Sequence, residues 1–126
     1  MKGIGAYRAA RKQASPEQLV LLLYREAIRR LEGLADVDAS DGRWISDTHH
    51  VRSILLELSE ALDREEAPEL CEQLVRLYDF CIHELVVAGS ERDPARLEPV
   101  KKVIRDLHDG WEAVVKRPQE GLKWAS

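Results

Sequence analysis

Apolar residues recur every three or four positions along most of this chain, and this spacing predicts helices and no strand. The first predicted helix has Ser15 as its N-cap, because Pro16 follows at the first helical position and Gln18 completes a capping box. Residues 19–24 are all apolar, so the start of this helix must be covered on more than one side. The helix is expected to fade over residues 36–42, where Asp, Ser and Gly favour a loop.

Two more helices follow in the middle of the chain. The second can begin as early as Trp44 and is expected to end near Asp63. A charged loop leads to Pro68, where the third predicted helix starts. Gly89 stands where a left-handed C-terminal cap of this third helix is expected.

The fourth helix begins near Asp93 and Pro94, and its start has two alternatives. Pro99 deep inside a helix would remove a hydrogen bond and clash with the preceding turn. Either residues 94–97 form a separate short turn, or Pro99 is the first helical position. Four amphipathic helices with short connections predict an all-α fold, an antiparallel up-and-down four-helix bundle.

The predicted chain organisation has three parts. Residues 1–14 form a short N-terminal arm, residues 15–115 form the bundle, and residues 116–126 form a polar C-terminal tail. Each helix carries one apolar stripe that is expected to form the core. The stripes comprise Val20, Tyr24, Ala27, Ile28, Leu31 and Leu34; Val51, Ile54, Leu55, Leu58 and Leu62; Leu70, Leu74, Leu77, Tyr78, Cys81, Ile82 and Leu85; and Val100, Val103, Ile104, Leu107, Trp111 and Val114.

Other apolar residues lie outside these stripes on three of the predicted helices. At roughly 100° per residue, Leu22 lies nearly opposite the stripe of its helix and Leu19 lies between the two sides. The residues concerned on the second and third helices lie well to one side of their stripes. Scattered surface apolar residues are normal, and that is one interpretation. Their recurrence on three helices favours the other interpretation, an outer groove that accepts a partner helix. The residues concerned are Leu19, Leu22, Ile45, Leu56, Phe80 and Val87.

Composition narrows the range of possible functions. The chain has 126 residues, a net charge of −4 and a pI of about 5.6, which argues for one domain and against nucleic-acid binding. The residues before Glu17, the first acidic residue, include four basic ones. They form either a solvated arm or an arm that docks on an acidic surface. Cys71 and Cys81 are too far apart on one helix for a disulfide. We find no signal peptide and no run that could enter a membrane, so we expect a cytoplasmic protein.

The chain carries no recognisable catalytic chemistry, so we expect neither an enzyme nor a cofactor. It lacks a phosphate-binding glycine loop, a metalloprotease motif and a nucleophile elbow. None of the histidines has the Glu-x-x-His spacing of a di-iron bundle, so no metal is expected. A phosphotransfer bundle is a further alternative, but His50 is followed by Val51-Arg52-Ser53, without the glycine that such proteins usually carry.

Residues 14–24 are similar to the opening motif of the flagellin export chaperones, the FliS family, and the resemblance extends over most of the chain. Residues 74–80 resemble the family's Leu-Tyr-Asp-aromatic motif. The chain departs from the family pattern at Arg25-Glu26, where Asp-Gly is usual, and at Ala67-Pro68, where Gly-Gly is usual. It also departs at Gln73 and Gly89, where asparagines are usual. Further similar positions are Ala27, Ile28, Leu62, Asp63, Asp93 and Trp111, with Ile4 and Tyr7 as N-terminal apolar anchors.

The resemblance implies a cytoplasmic chaperone that binds the C-terminal region of flagellin in outer apolar grooves. Such a protein prevents premature polymerisation and delivers its client to the flagellar export apparatus, and export-gate or regulatory flagellar proteins are further partners. Ile4 and Tyr7 would cover a groove until the client displaces them. The client would contact the six apolar residues outside the core stripes. The alternative is a helical adaptor that binds another flagellar or secretion protein through the same surface.

Overall fold

The computed structural model describes residues 15–116, and within them the chain is helical with no strand. Each helix packs against its neighbours in chain order, and the last also packs against the first. The predicted all-α four-helix bundle is therefore confirmed. The helices are α1 (Pro16–Glu32), α2 (Gly42–Glu60), α3 (Pro68–Glu91) and α4 (Leu97–Val115), with a 3₁₀ turn (Pro94–Arg96) before α4. The predicted arm lies outside the described residues, as does the predicted tail except for Lys116.

The first and last helices run in opposite directions. The indole Nε1 of Trp111 donates to the main-chain oxygen of Glu17 at 2.9 Å, at the beginning of α1. Arg105, earlier on α4, donates to the carboxylate of Glu32 at the end of α1. The start of α1 thus contacts a later part of α4, and the end of α1 contacts an earlier part, as in an antiparallel pair.

The start of α1 is as predicted. The Ser15 side chain accepts from the Gln18 N–H at 3.2 Å, and the Gln18 side chain accepts from the Ser15 N–H at 3.3 Å. Both halves of the capping box are present, and Pro16 occupies the first helical position. Two N–H groups that the helix cannot satisfy thus gain partners.

The second helix ends earlier than expected, at Glu60 rather than near Asp63. The Asp63 carboxylate accepts from the N–H groups of Glu65 and Glu66 at 3.2 and 3.3 Å. An Asp that bonds forward to its own backbone favours a turn over another helical residue. The third helix starts at Pro68 as predicted.

The predicted cap at Gly89 is wrong, because α3 continues past it to Glu91. The left-handed residue is Arg92, with φ 53° and ψ 46°. Ala88 is completely buried, and its carbonyl accepts from the N–H groups of Arg92 and Asp93. Packing of Ala88 holds this turn against the core and moves the cap three residues beyond the glycine.

The connection before α4 takes the first of the two predicted alternatives. Residues 94–96 form a separate turn, and the Asp93 carboxylate caps it by accepting from the Ala95 N–H at 3.1 Å. The helix then begins at Leu97, so Pro99 falls in its first turn. An N–H has no partner within the helix there, so the proline removes nothing.

Leu70 and Leu77 are corrections to the predicted core. They are 46% and 37% exposed, whereas Tyr78, Cys81 and Leu85 on the same helix are buried. Leu70 lies in the first turn of α3, and position 77 falls at the edge of the α3 stripe. The largest fully buried side chains are Trp44, Tyr78, Leu31, Leu34, Leu55, Leu85, Ile104, Val51, Val100 and Cys81.

Candidate partner-binding surface

Large apolar side chains reach solvent on only two helices of the described chain, α2 and α3. Three of them, Ile45, Leu56 and Phe80, are among the residues that the sequence placed outside the core. The others were missed, because two were assigned to the core stripe and Val86 was not considered. The exposed set is Ile45 (73%), Leu56 (51%), Leu70 (46%), Val86 (46%), Phe80 (42%) and Leu77 (37%).

The two exposed large apolar residues of α2 share one side of the helix with His49 and the half-buried Arg52. We call this line the α2 stripe: Ile45, His49, Arg52 and Leu56. The spacing of four, three and four residues keeps these positions on one side of a helix over about 16 Å. Asp47 lies on the opposite side of α2, where its carboxylate accepts from Arg30 of α1 at 2.7 Å. The α2 stripe therefore faces away from α1.

The exposed large apolar residues of α3 lie on two sides of that helix. Leu77, Phe80 and Val87 follow each other at helical spacing, with Val87 half-buried. Glu84 lies on the same side and accepts from Arg96, just before α4, at 3.1 Å. This line of side chains therefore runs beside the α3–α4 seam, while Val86 lies on the other side, towards α2.

The start of α1 is more buried than the sequence suggested. Leu21 and Leu23 are buried, and Leu22, which was expected opposite the core, is half-buried. Leu19 packs against the core and lines an open cavity of about 290 Å³ at one end of the bundle. The expectation that Leu19 has no place in the core is thus corrected. The other lining residues are Pro16, Glu17, Val20, Leu23, Glu57, Leu58, Ala61 and Trp111.

Charged groups close the seam between α1 and α4. Arg25 donates to Glu112 at 3.0 Å and to His108 Nε2 at 3.2 Å. The hydrogen bond from Arg25 holds the pKa of the Glu112 carboxyl below its ordinary value. Arg105 and Glu32 form a second ion pair across the same seam. With no exposed large apolar residue on either helix in the described chain, this seam is a polar side of the bundle.

A second charged cluster joins α1 to α2. The Glu26 carboxylate is nearly buried and accepts from Arg29 at 2.6 Å and from Arg30 at 2.9 Å. Arg30 also donates to Asp47. Burial acts to raise the pKa of Glu26, but the hydrogen bonds from the two arginines outweigh it and leave that pKa lowered. This cluster is satisfied within the protein, and its role is structural.

The predicted site residues thus fall into three places. Ile45 and Leu56 lie on the α2 stripe, Phe80 and Val87 lie beside the α3–α4 seam, and the α1 residues line or flank the end of the bundle. Their role in binding stays a prediction. Ile4 and Tyr7 lie outside the described residues. Arg52 had no assigned role, although the spacing of its neighbours on the α2 stripe could have revealed it.

The described part of the chain offers little for other chemistry. Within residues 15–116 no group of His, Cys, Asp and Glu side chains is arranged to hold a metal ion. None of the described helices combines the length and the apolar character that a membrane crossing requires. Cys71 and Cys81 are free and buried, and burial raises the pKa of the Cys81 thiol to about 12. A thiol with such a pKa is not nucleophilic at neutral pH.

A bundle with one polar seam and apolar side chains exposed on two helices defines a protein of the polypeptide-binding class. Comparison with known families then identifies it: the chain belongs to the FliS family, whose model, described as flagellar protein FliS, matches residues 5–118. The family predicted from residues 14–24 and 74–80 is thereby confirmed.

Curated relatives agree with this assignment. A flagellar secretion chaperone FliS of Escherichia coli K12 is 27% identical over 125 residues, covering 93% of this chain and 92% of the relative. The FliS of Vibrio cholerae is 27% identical over 80% of this chain and 76% of its own length. Flagellar secretion chaperone FliSB of Pseudomonas aeruginosa is 30% identical over 80% of this chain and 82% of its own length. The predicted role of an export chaperone is confirmed at this level.

Proposed function

We propose that this protein is a non-enzymatic cytoplasmic chaperone that binds the C-terminal region of flagellin. It prevents premature polymerisation and delivers flagellin to the flagellar export apparatus. The observation that carries the proposal is that, within residues 15–116, the exposed large apolar side chains lie on α2 and α3 of a bundle of this family. Relatives named as flagellar secretion chaperones support a flagellar client.

The exposed side chains supply enough binding energy for a specific complex. Burying a Leu, Ile or Phe contributes roughly 1.5–3 kcal/mol each. Several such contacts exceed the cost of association and leave useful affinity. The spacing of seven and three residues along α3 suits amphipathic helices lying in shallow grooves. A client that supplies such helices gains most by covering the α2 stripe and the line through Phe80 together.

The residues around the bundle end complete the proposed surface. Leu19 lines the open cavity there, which offers space for a client side chain, and Leu22 is half-buried on the same helix. In this proposal Ile4 and Tyr7 cover part of the surface until the client displaces them. The polar seam formed by Arg25, His108 and Glu112 takes no part.

The test is a titration of the protein with the C-terminal region of the flagellin from the same organism. We expect the wild-type chain to bind, and Phe80→Asp to weaken binding at least about tenfold because it places a charge among apolar contacts. Ala113→Asp, on the exposed outer side of α4, introduces the same charge and should bind as the wild type does. Failure of the wild-type chain to bind this region would refute the flagellin assignment.

A further inference from the structure

The α2 stripe carries an unpaired charge at its centre. Arg52 is half-buried, seven residues after Ile45 and four before Leu56. Its Nε is shielded from solvent and has no hydrogen-bond partner. The hydrogen bond of Arg52 within residues 15–116 runs from Nη2 to His49 Nδ1 at 3.1 Å. A charged group thus stands between Ile45 and Leu56 on the α2 stripe with one buried donor unused.

Arg52 differs in this from the arginines that join the helices to each other. Arg30, Arg96 and Arg105 each reach a carboxylate on another element of the bundle. Among residues 15–116, the hydrogen-bond partner of Arg52 is an imidazole of its own helix. A guanidinium can only donate, so His49 accepts this hydrogen bond at Nδ1. An imidazole supplies no negative charge, so Arg52 has no ion partner within the described chain.

We propose that the α2 stripe binds a client segment in which a carboxylate stands between apolar side chains, and that the carboxylate accepts from Arg52. The inference rests on the proposed function and adds the chemistry of the client at one place. Ile45 and Leu56 contact the apolar residues on either side. The planar fork of the guanidinium matches the two oxygens of a carboxylate, which makes Arg52 the residue that selects the segment.

Other segment chemistries fit this stripe worse. A purely apolar segment would remove water from the guanidinium without replacing its hydrogen bonds, which is unfavourable. A basic segment would meet a like charge. Since the stripe is about 16 Å long, its natural occupant is a helical stretch of about 11 residues. Such a stretch has Asp or Glu near its middle and an apolar residue one to two turns away in each direction.

The first experiment changes the chaperone. The full chain carrying Arg52→Gln is titrated with the C-terminal region of the organism's own flagellin, and we expect binding to weaken about tenfold or more. Arg52→Lys keeps the charge but loses the fork, so it should recover only part of the affinity. Arg64→Gln, in the exposed loop before α3, makes the same charge change and should bind as the wild type does. Circular dichroism checks that each variant is folded.

The second experiment changes the client. Each Asp and Glu of the flagellin segment is replaced in turn by Asn or Gln, and one replacement should weaken binding to the wild-type chain about as much as Arg52→Gln does. That same replacement should have no further effect on the Arg52→Gln variant, because the two groups act as a pair. If Arg52→Gln does not fold, Arg52→Lys takes its place in this comparison, and the effect of that client replacement should be smaller on it than on the wild type.

The outcomes separate the two proposals. If Arg52→Gln binds normally while Phe80→Asp does not, the carboxylate inference is wrong and the proposed function stands. Equal losses for Arg52→Gln and Arg64→Gln would reveal general electrostatic attraction and would also overturn it. If no single client carboxylate matters to the wild-type chain, the inference fails as well. If the wild-type chain ignores this region of flagellin, the proposed function itself fails.

Discussion

The hydroxyl oxygens of Tyr24 and Tyr78 lie 2.7 Å apart in the core, and their hydrogen bond joins α1 to α3. These helices are not consecutive in the ring of the bundle, so the bond crosses its interior. Burial raises the pKa of both tyrosines above the ordinary value, which keeps both phenols neutral and able to donate. The pair fixes the two helices relative to each other inside a core built mainly from apolar side chains.

The tyrosine pair predicts a non-additive mutant cycle. Tyr24→Phe or Tyr78→Phe alone should lower the free energy of unfolding by about 1–2 kcal/mol, because each leaves a buried hydroxyl without its partner. The double variant should lose clearly less than the sum of the two, since no polar group is then left behind. Urea unfolding of the four proteins measures this. Additive losses would show that the two hydroxyls do not act as a pair.

Glu26 predicts how stability depends on acid. Its pKa is lowered in the folded protein, so the stabilisation it gives is present above its unfolded pKa of about 4.5 and is lost as the pH falls through the lower folded value. Glu26→Gln should cost about 1–3 kcal/mol at pH 7. The stability of the Glu26→Gln variant should also decline less steeply than that of the wild type below about pH 4.5.

Chemical unfolding between pH 7 and pH 3 measures the effect of Glu26. Glu65→Gln, in the exposed turn before α3, removes the same charge and should leave both the stability at pH 7 and its decline almost unchanged. Parallel acid profiles for the wild type and Glu26→Gln would contradict the role given to the Arg29 and Arg30 hydrogen bonds.

The end of α3 predicts opposite roles for two neighbouring positions. Gly89 lies inside the helix with open space where a Cβ would stand, so Gly89→Ala should raise stability by about 0.5–1 kcal/mol. Arg92 holds a left-handed conformation, so Arg92→Gly should be more stable than Arg92→Ala by about 1 kcal/mol. Thermal unfolding compares them. If Gly89→Ala lowers the stability instead, the assignment of the cap to Arg92 rather than Gly89 is contradicted.

The exposed and buried residues of α2 predict a separation of binding from stability. Ile45→Ser should change the free energy of unfolding by less than about 0.5 kcal/mol, because its side chain is 73% exposed. It should nevertheless weaken binding of the flagellin C-terminal region several-fold. Val51→Ala, fully buried on the same helix, should lose about 1–3 kcal/mol of stability. Calorimetric titration and denaturant unfolding on both variants test the distinction.

Local chemistry made much of this fold predictable. The capping box at Ser15 and the prolines that open α1 and α3 are short-range signals, and the structure follows them. The end of α3 was less predictable from the sequence, because it depends on how Ala88 packs against the rest of the bundle. A glycine signals that a left-handed residue is allowed, and only tertiary packing decides where one is needed.

The candidate surface was predictable only in part, for a related reason. Helical spacing identifies Ile45 and Phe80 as lying outside the core, and both are exposed. It cannot tell the middle of a stripe from its edge, so Leu77 was assigned to the core. The width of each stripe depends on how closely the neighbouring helices approach. Spacing could have placed Arg52 on the α2 stripe, but only the packed structure shows that its Nε has no hydrogen-bond partner.

The ion pairs between α1 and α4 have a consequence for the loaded chaperone. A client that covers α2 and α3 hides the apolar half of the bundle and leaves Arg25, Glu32, Arg105 and Glu112 facing water. Such a complex would present a charged exterior in place of the client's apolar segment. The helices that bind the client would then differ from the helices that keep the complex soluble.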